Sequence, residues 1–407
     1  MPDGLVVVGG SYAAVQIAAS ARERGFDGPI RLVGEEEEPP YQRPPLSKGF
    51  LTGKTTAAML PLRAEAFYRN AAIDLVLGTR VTAVDRIDRV VTMADGRHLR
   101  YDRLALALGA RPRPLPVPGA GLDGVLALRT LADAERLRAV AAQAGEVVVV
   151  GGGFIGLEVA SALVGPGRAV TVVEAQDRLL ARALPPAVSE FLAGVHRARG
   201  VRLALRTGVR SIDGTGGRVR SVTLDDGRTL GADLVVVGIG AVPNAEIAQA
   251  CGLPCDDGIL VDRFATTADP AIVAAGDCTR HPNVHAGRPL RLESVQNALD
   301  QARAAAGSAM GTPTPHDAVP WFWSDQYEVK LQMAGLSQGA DRSALRGSAD
   351  QGRFSLFHFR DGRLIAVDSV NRPADHMAAR RLLAAGRPLT AEQAADESID
   401  LKLLIGS

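Results

Sequence analysis

Residues 147–156 read Val-Val-Val-Val-Gly-Gly-Gly-Phe-Ile-Gly, and this stretch decides the fold that we predict. Four β-branched residues in a row are typical of a buried strand. Gly151, Gly153 and Gly156 match the G-x-G-x-x-G spacing of a dinucleotide-binding turn. In that turn the N-terminus of the following helix meets the negative charge of a pyrophosphate. We therefore predict a strand, a turn, a helix at about 155–164 and a second strand at 170–173.

Each glycine of this turn has its own physical role. Gly151 permits the tight turn, Gly153 lets the backbone approach the pyrophosphate, and Gly156 allows the helix to pack on the strand. Glu174 ends the second strand, where a carboxylate binds a ribose 2′-hydroxyl and repels a 2′-phosphate. The pattern thus favours NADH over NADPH. The alternative is a glycine-rich turn with no ligand.

The start of the chain repeats the same order of elements. A strand at 5–8 leads to Gly9, a helix is predicted at 13–24, and a strand at 30–33 leads to Glu35. Ser11 and Ala14 replace the second and third glycines of the spacing; alanine is accepted at the third position, whereas the Cβ of a serine restricts the approach of a pyrophosphate. Spacing alone still predicts a second nucleotide site.

Both units also carry a matching tail. Asp95-Gly96-Arg97 precedes a strand at 104–108, and Asp226-Gly227-Arg228 precedes a strand at 234–237. Asp-Gly between extended segments is a hairpin signal. The chain therefore reads as two copies of one nucleotide-binding domain.

The last part of the chain has a different pattern. Extended segments at 321–323, 329–333, 354–359 and 364–367 precede a terminal helix at 375–383, which predicts an α+β domain. The domains that we predict are an FAD-type domain in two pieces (1–112 and 244–318), an NADH-type domain (113–243) and a C-terminal α+β domain (319–407). The fold class is α/β.

Composition excludes several classes of protein. The 407 residues carry 46 Lys and Arg against 45 Asp and Glu, so the overall charge of +1 gives no reason to expect nucleic acid. Only 3 cysteines are present, which predicts a reducing compartment, the cytoplasm. No apolar run has the length of a membrane span, and the N-terminus has no signal-peptide pattern.

Three further segments carry a family resemblance. Arg43-Pro-Pro-Leu-Ser-Lys48, Ala274-Ala-Gly-Asp-Cys278 and Glu293-Ser-Val-Gln-Asn-Ala298, with the two glycine turns, resemble the FAD-dependent NADH:ferredoxin reductases that serve bacterial cytochromes P450 and aromatic-ring dioxygenases. The resemblance implies two Rossmann-like dinucleotide-binding domains of glutathione reductase type plus the C-terminal α+β domain. It also implies bound FAD, NADH as donor, and hydride transfer to the flavin followed by two single-electron steps to a [2Fe–2S] ferredoxin.

The resemblance places roles on matching positions. Lys48 would lie near the flavin N5, the amide of Val295 would face the flavin pyrimidine, and Glu158 would lie near the nicotinamide. The residues expected at FAD are Gly9, Ser11, Tyr12, Ala13, Ala14, Glu35, Arg43, Lys48, Val81, Ala107, Gly109, Arg129, Gly276, Asp277, Glu293, Ser294, Val295 and Trp323. Those expected at NADH are Gly151, Gly153, Phe154, Ile155, Gly156, Glu158, Glu174, Arg182, Gly238 and Gly240.

Three of these residues have plainer interpretations. Lys48 could be a solvated loop lysine, Glu158 an exposed helix residue, and Trp323 an aromatic of a core strand. The partner is expected to dock on a basic surface near the flavin, for which Arg63, Arg288 and Arg291 are candidates without a motif. The resemblance is compatible with a monomer or a weak homodimer.

The position of the cysteines narrows the chemistry. Disulfide reductases of this fold keep a redox-active cysteine in the first domain, but the first cysteine here is Cys251. Electrons must therefore leave the flavin for an outside acceptor. Two alternatives stay open: an NADH oxidase or dehydrogenase that uses oxygen or a quinone, and a flavoprotein that acts through partner binding and resembles apoptosis-inducing factor.

Other motifs are set aside. The segment 49–55 is one residue short of a P-loop and follows no strand, and 335–339 fits G-x-S-x-G without the helix that a nucleophile elbow needs. Cys278, His281 and His285 have metal-like spacing that Pro282 interrupts, and the pair at 251 and 255 has too few partners for zinc. We predict no metal site.

Overall fold

The protein is described here by a computed structural model, which covers residues 3–405. Its strands in chain order are β1 (Leu5–Val8), β2 (Ile30–Val33), β3 (Ile73–Val76), β4 (Val81–Asp85), β5 (Val90–Met93), β6 (His98–Arg100), β7 (Arg103–Leu106), β8 (Ala110–Pro112), β9 (Val125–Ala127), β10 (Glu146–Val150), β11 (Ala169–Glu174), β12 (Arg202–Leu205), β13 (Val209–Thr215), β14 (Arg218–Leu224), β15 (Thr229–Gly231), β16 (Leu234–Val237), β17 (Ala241–Pro243), β18 (Ile259–Leu260), β19 (Ile272–Ala274), β20 (Thr279–Asn283), β21 (Arg288–Leu290), β22 (Trp321–Gln326), β23 (Val329–Gly335), β24 (Arg342–Ser348), β25 (Arg353–Arg360) and β26 (Arg363–Val370). Its helices are α1 (Tyr12–Glu23), α2 (Glu65–Asn70), α3 (Leu131–Ala141), α4 (Phe154–Leu163), α5 (Pro186–Ala198), α6 (Glu246–Ala250), α7 (Val295–Ala309), α8 (Pro373–Ala385) and α9 (Ala391–Ala395), with 3₁₀ turns at Pro44–Ser47, Ala57–Met59 and Leu401–Leu404.

The chain forms two compact units. The first unit takes residues up to 42, 60–111 and 242–322, and the second takes 43–59, 112–241 and the chain from 323 onward. The segment that contains Lys48 thus packs within the second unit. The three-domain division predicted from the sequence remains a prediction.

The first unit is built on a parallel sheet of strand order β19-β7-β1-β2-β3. The apolar residues of β1 are all buried, because helices cover one face and the β4-β5-β6 sheet lies over the other. Alanines on α1 and α7 pack against each other and keep the two helices close. Strand order reverses on either side of β1, and in such sheets a ligand binds where the carboxyl ends of the strands diverge.

The second unit contains a parallel sheet of the same plan, with strand order β12-β11-β10-β16-β9. Here β10 occupies the place that β1 has in the first unit. An antiparallel sheet of order β22-β23-β26-β25-β24 follows in the C-terminal part, with α8 packed on it. The predicted fold class is confirmed.

The repeat predicted from the sequence is visible in matching local contacts. At the start of β1, Asp102 accepts a hydrogen bond from the backbone N–H of Gly4 (2.7 Å); at the start of β10, Asp233 accepts one from Gly145 (2.9 Å). The two Asp-Gly hairpins also match. Asp95 accepts hydrogen bonds from the backbone N–H and Nε of Arg97, and Asp226 does the same for Arg228.

Two elements near the C-terminus differ from the sequence prediction. Strand β24 was not predicted, because it lies at the edge of its sheet and is mostly polar, without the alternation of a half-buried strand. The helix predicted at 375–383 is not the terminal one. It spans Pro373–Ala385, and α9 follows it, with five residues that are too few to give a helical period.

Candidate functional site

The turn between β10 and α4 is shaped by its glycines. Gly151 has a φ of +108°, and a Cβ there would lie 2.4 Å from the carbonyl oxygen of Gly238. A Cβ at Gly156 would lie 2.2 Å from the carbonyl oxygen of Gly151. At Gly153, φ is −83° and the nearest protein atom to an added Cβ is 3.9 Å away. The fold requires the outer two glycines, while Gly153 leaves room at the helix N-terminus that fits a pyrophosphate.

Glu174 lies beside this turn with its carboxylate held in place. One oxygen accepts a hydrogen bond from the backbone N–H of Gly152 and the other from that of Gln176, each at 2.7 Å. Each carboxylate oxygen keeps a further acceptor position. The arrangement suits a ribose hydroxyl and opposes a phosphate at the same place.

The remaining residues predicted for NADH lie at the same edge of the second unit's parallel sheet. Gly238 follows β16 and packs against the glycine turn, and the Cβ position of Gly240 is 3.8 Å from Nη2 of Arg182. Phe154 and Ile155 begin α4, where Ile155 is 47% exposed. The structure thus brings the predicted nicotinamide set together.

The corresponding turn of the first unit is also built on a required glycine. Gly9 has a φ of +132°, and a Cβ there would lie 2.1 Å from the carbonyl oxygen of Ala107. Ser11 is the N-cap of α1, but its side chain makes no capping hydrogen bond. The Ser11 side chain therefore does not cap α1, and the positive potential at a helix N-terminus favours an anion. Tyr12 begins the helix, and the next two helical residues, Ala13 and Ala14, are buried.

The two acidic residues predicted to end the second strands differ in their surroundings. Glu35 has a side chain that is 67% exposed, with its nearest cation, Arg80, at 3.7 Å. Glu174, in contrast, is fixed by two backbone N–H groups. Their positions also differ by one residue, because Glu174 directly follows Val173, the partner of Val150, whereas Gly34 stands between Glu35 and Val33, the partner of Val8. The equivalence predicted from sequence spacing is therefore wrong by one residue.

The loop that follows β19 lies against α1. Gly276 has a φ of +86°, and a Cβ there would lie 3.4 Å from the Cβ of Ala13. Its N–H donates to Oε1 of Gln301 (2.8 Å), which also accepts from the hydroxyl of Thr279 (2.9 Å). Gln301 fixes the loop that carries Asp277. Sequence reasoning missed this residue, although a glutamine among the alanines of a buried helix face was a usable signal.

Helix α7 begins as predicted. Ser294 is its N-cap and accepts a hydrogen bond from the N–H of Asn297 (3.0 Å), so that the cap is Ser294 and not Glu293. Glu293 is paired instead with Arg291, which also contacts Asp257. Val295 is the first helical residue, where a backbone amide and the helix dipole favour negative charge.

The other positions predicted for FAD are divided between the units. In the first unit, Val81 begins β4 within the buried cluster that includes Val8, and Gly109 (φ +64°) accepts a hydrogen bond from the N–H of Asn244. In the second unit, Nη1 of Arg43 donates to the carbonyl oxygen of Arg129 (2.7 Å), and Trp323 lies in β22.

Lys48 and Glu158 form an ion pair, although 110 residues separate them. Nζ of Lys48 is 2.6 Å from Oε2 of Glu158, and their side chains are 21% and 5% exposed. The same oxygen accepts from the hydroxyl of Ser47 (2.5 Å), and the other oxygen accepts from that of Ser324 (2.6 Å). A solvated lysine and an exposed glutamate are therefore both wrong interpretations. The two serines were missed because only tertiary packing brings them to the carboxylate.

The structure shows where two of the motifs set aside from the sequence lie. Residues 336–341 after β23 contain no helix, and His281 lies in β20 with its ring centroid 5.0 Å from that of His316. Across residues 3–405, no three His, Cys, Asp or Glu side chains are grouped to hold a metal ion. In the same range, no helix has both the length and the apolar content to cross a membrane.

Comparisons with known proteins cover almost the whole chain. Residues 3–302 match the family model described as pyridine nucleotide-disulphide oxidoreductase, and residues 321–405 match the model described as reductase C-terminal. Rhodocoxin reductase of Rhodococcus erythropolis is 50% identical over 401 residues, with 98% of this chain and 94% of that protein aligned.

Solved structures agree with this relationship. The ferredoxin reductase for the CYP199A2 system from Rhodopseudomonas palustris has a TM-score of 0.96 at 44% identity, over 98% of this chain and 99% of that one. The reductase of the covalent putidaredoxin reductase–putidaredoxin complex has a TM-score of 0.95 at 42% identity, over 100% and 99%.

These relatives are ferredoxin reductases of P450 and dioxygenase systems, and the family uses FAD and NAD(H). The resemblance noted in the sequence is thereby confirmed. This chain, with its two glycine turns, its buried Lys–Glu pair and its C-terminal sheet, belongs to the pyridine nucleotide-disulphide oxidoreductase family.

Proposed function

We propose that this chain is an NADH-dependent reductase that passes electrons through FAD to a [2Fe–2S] ferredoxin, which in turn serves a cytochrome P450 or a ring-hydroxylating dioxygenase. One observation carries the choice of donor: the backbone N–H of Gly152, which precedes Gly153 in the turn, fixes the carboxylate of Glu174, and this charge opposes a 2′-phosphate. The choice of acceptor rests on the similarity to ferredoxin reductases over the whole chain.

The residues present fit the two cofactors. Glycine turns precede α1 and α4, and the positive end of each helix dipole can meet a phosphate there. When bound, FAD supplies acceptance of a hydride from NADH and release of electrons one at a time. Lys48 contributes a positive charge held in one place by Glu158, and the N-terminus of α7 contributes a second positive potential. Each favours negative charge on a ring system bound beside it.

The absence of an early cysteine supports an external acceptor. Within the described chain the three cysteines are free thiols, and the first of them is Cys251. Burial raises the pKa of the Cys278 thiol to about 12, so that it stays protonated and unreactive at neutral pH. A relay through a flavin-proximal dithiol has no residues to use. The cysteine count also supports a cytoplasmic setting.

A basic docking surface is part of the proposal. Arg63 and Arg288 are exposed and belong to the first unit, whereas Arg291 is 11% exposed and held between two carboxylates. We therefore keep Arg63 and Arg288 as dock candidates and leave Arg291 out. Reversing either charge should slow ferredoxin reduction, and the loss should shrink as salt screens the encounter. We propose a monomer or weak homodimer, which sedimentation would measure.

Two measurements test the function. Anaerobic titration with NADH should bleach the flavin absorbance of the purified protein; a colourless protein, or a flavin that NADH cannot bleach, would contradict it. NADH-driven cytochrome c reduction should then depend on added ferredoxin from a panel of [2Fe–2S] proteins. Fast NADH consumption in air without ferredoxin would instead favour an oxidase. Slow turnover with every acceptor, together with a stable charge-transfer complex, would favour a partner-binding flavoprotein.

A further inference from the structure

A line of buried hydrogen bonds leads away from Glu158 into the C-terminal sheet. Ser324, which donates to Oε1 of Glu158, accepts from Nε2 of Gln326 at 3.1 Å. Oε1 of Gln326 lies 2.8 Å from Nε2 of His196, and Nδ1 of His196 lies 3.2 Å from the hydroxyl of Tyr327. Ser324, Gln326 and His196 are 0%, 1% and 0% exposed. All of these residues belong to the second unit.

Chemistry fixes the direction of each bond in this line. The amide oxygen of Gln326 can only accept, so Nε2 of His196 carries the proton and Nδ1 accepts from Tyr327. Burial holds the pKa of His196 below its ordinary value, which favours the neutral ring, and the bonds to Gln326 and Tyr327 select this tautomer. Every donor from Tyr327 onward therefore points toward the carboxylate of Glu158.

We propose that Ser324, Gln326 and His196 are positioning residues, which hold the Glu158 carboxylate in one orientation and through it the ammonium group of Lys48. A buried carboxylate needs donors on both oxygens, and Ser324 is the donor that the structure shows on Oε1. The amide of Gln326 does not titrate near neutral pH. This line of hydrogen bonds therefore fixes the position of the Glu158 carboxylate and does not conduct a proton. The inference deepens the proposed function, on which it rests only for the statement that Lys48 faces the flavin.

The chain offers a direct readout, because it has only four lysines: Lys48, Lys54, Lys330 and Lys402. The flavin-loaded protein would be treated with limiting acetic anhydride, and the modification of each lysine measured by peptide mass spectrometry. Lys54, Lys330 and Lys402 are exposed and serve as internal references. In Ser324→Ala and Gln326→Leu, acetylation of Lys48 relative to these references should rise about three- to tenfold, as one hydrogen bond to a charged group is lost.

A matched control lies in the same sheet. Ser355 is also 0% exposed, and its hydroxyl donates to the buried carboxylate of Asp375 at 3.0 Å. Ser355→Ala should leave the relative acetylation of Lys48 unchanged, and Ser324→Thr, which keeps a hydroxyl, should return it toward the wild-type value. Ser324→Ala removes a single oxygen and serves as the test where Gln326→Leu fails to fold.

Two results would overturn the inference. One is unchanged Lys48 acetylation in folded Ser324→Ala; the other is an equal rise in Ser355→Ala. The labelling is read on the chain without any electron acceptor, so its outcome is independent of the ferredoxin assay. Failure to reduce any ferredoxin would contradict the proposed function alone.

Discussion

The position of a Cβ on Gly156 lies 2.2 Å from the carbonyl oxygen of Gly151, a distance that no folded chain tolerates. Gly153, which lies between them, is different, since a Cβ there would meet nothing closer than 3.9 Å. The same turn therefore contains one glycine that is needed for folding and another whose open side suits a ligand.

Substitutions at Gly156 and Gly153 should affect different properties, the first stability and the second the binding of NADH. Gly156→Ala should destabilise the protein by about 2 kcal/mol or more, because backbone must move to admit the methyl group. Gly153→Ala should leave the melting temperature unchanged and raise the KM for NADH about tenfold by crowding the pyrophosphate. Thermal unfolding and steady-state kinetics measure the two effects. A normal KM for NADH in Gly153→Ala would contradict the placement of the cofactor.

Glu174 should set the choice between NADH and NADPH. Glu174→Gln keeps an oxygen that accepts the N–H of Gly152 but removes the negative charge that opposes a 2′-phosphate. The ratio of kcat/KM for NADH over that for NADPH should fall roughly tenfold, about 1.4 kcal/mol. Glu35→Gln is the control, since that residue follows the matching strand of the other unit and should leave the ratio unchanged.

Ser11 tests the alignment of the first turn. The serine side chain makes no capping hydrogen bond to α1, so its removal costs the helix little. Ser11→Gly should bind FAD as tightly as the wild type or more tightly, as measured by fluorescence during flavin release. A marked loss of flavin would show that the turn is misaligned with the G-x-G-x-x-G pattern.

Gln301 should control retention of the flavin. Gln301→Leu leaves the N–H of Gly276 and the hydroxyl of Thr279 without their shared acceptor, which loosens the loop before Asp277. The purified variant should carry less FAD than the wild type. Ser308→Ala removes a hydrogen bond from the other end of α7 and should keep its FAD. Equal flavin content in both variants would contradict a specific role for Gln301.

The protein should lose stability in mild acid. Burial, helped by His316, lowers the pKa of His281 to about 4, and within residues 3–405 neither ring nitrogen has a hydrogen-bond partner. The unfolded chain, with a histidine pKa of about 6.5, therefore binds a proton before the folded chain does. Stability contributed by the neutral ring is complete above pH 6.5 and falls as pH drops toward 4, by about 1.4 kcal/mol per pH unit.

His281→Leu isolates this contribution. Leucine is apolar and needs no partner in this buried position, so its melting temperature should fall less between pH 7 and pH 5 than that of the wild type. His98→Leu is a control, because His98 is exposed on β6. An equal fall in the wild type and in His281→Leu would contradict the assignment.

Local patterns were enough to predict the parallel sheets, the two turns and the start of α7. Each depends on residues close together in the chain, such as the alternation of glycines at 151–156 or the serine before Val295. The contacts of Glu158 could not be predicted in this way. Its partners Lys48 and Ser324 lie 110 and 166 residues away, and nothing in the sequence near them indicates that they meet. Family resemblance supplied the expected role of Lys48, but not the serines around it.

The Asp-Gly-Arg hairpins have a consequence for how the chain can be rebuilt. In each turn the Asp accepts hydrogen bonds from the Arg two residues later, and backbone hydrogen bonds of the flanking residues close the same turn. The hydrogen bonds from Arg97 lower the pKa of Asp95 to about 2, so the link stays intact over the whole working range of pH. Such a turn could be transferred as a unit from one half of the chain to the other. In the proposed function the two halves take different nucleotides, and their matching Asp-Gly-Arg turns are places at which segments could be grafted from one half to the other.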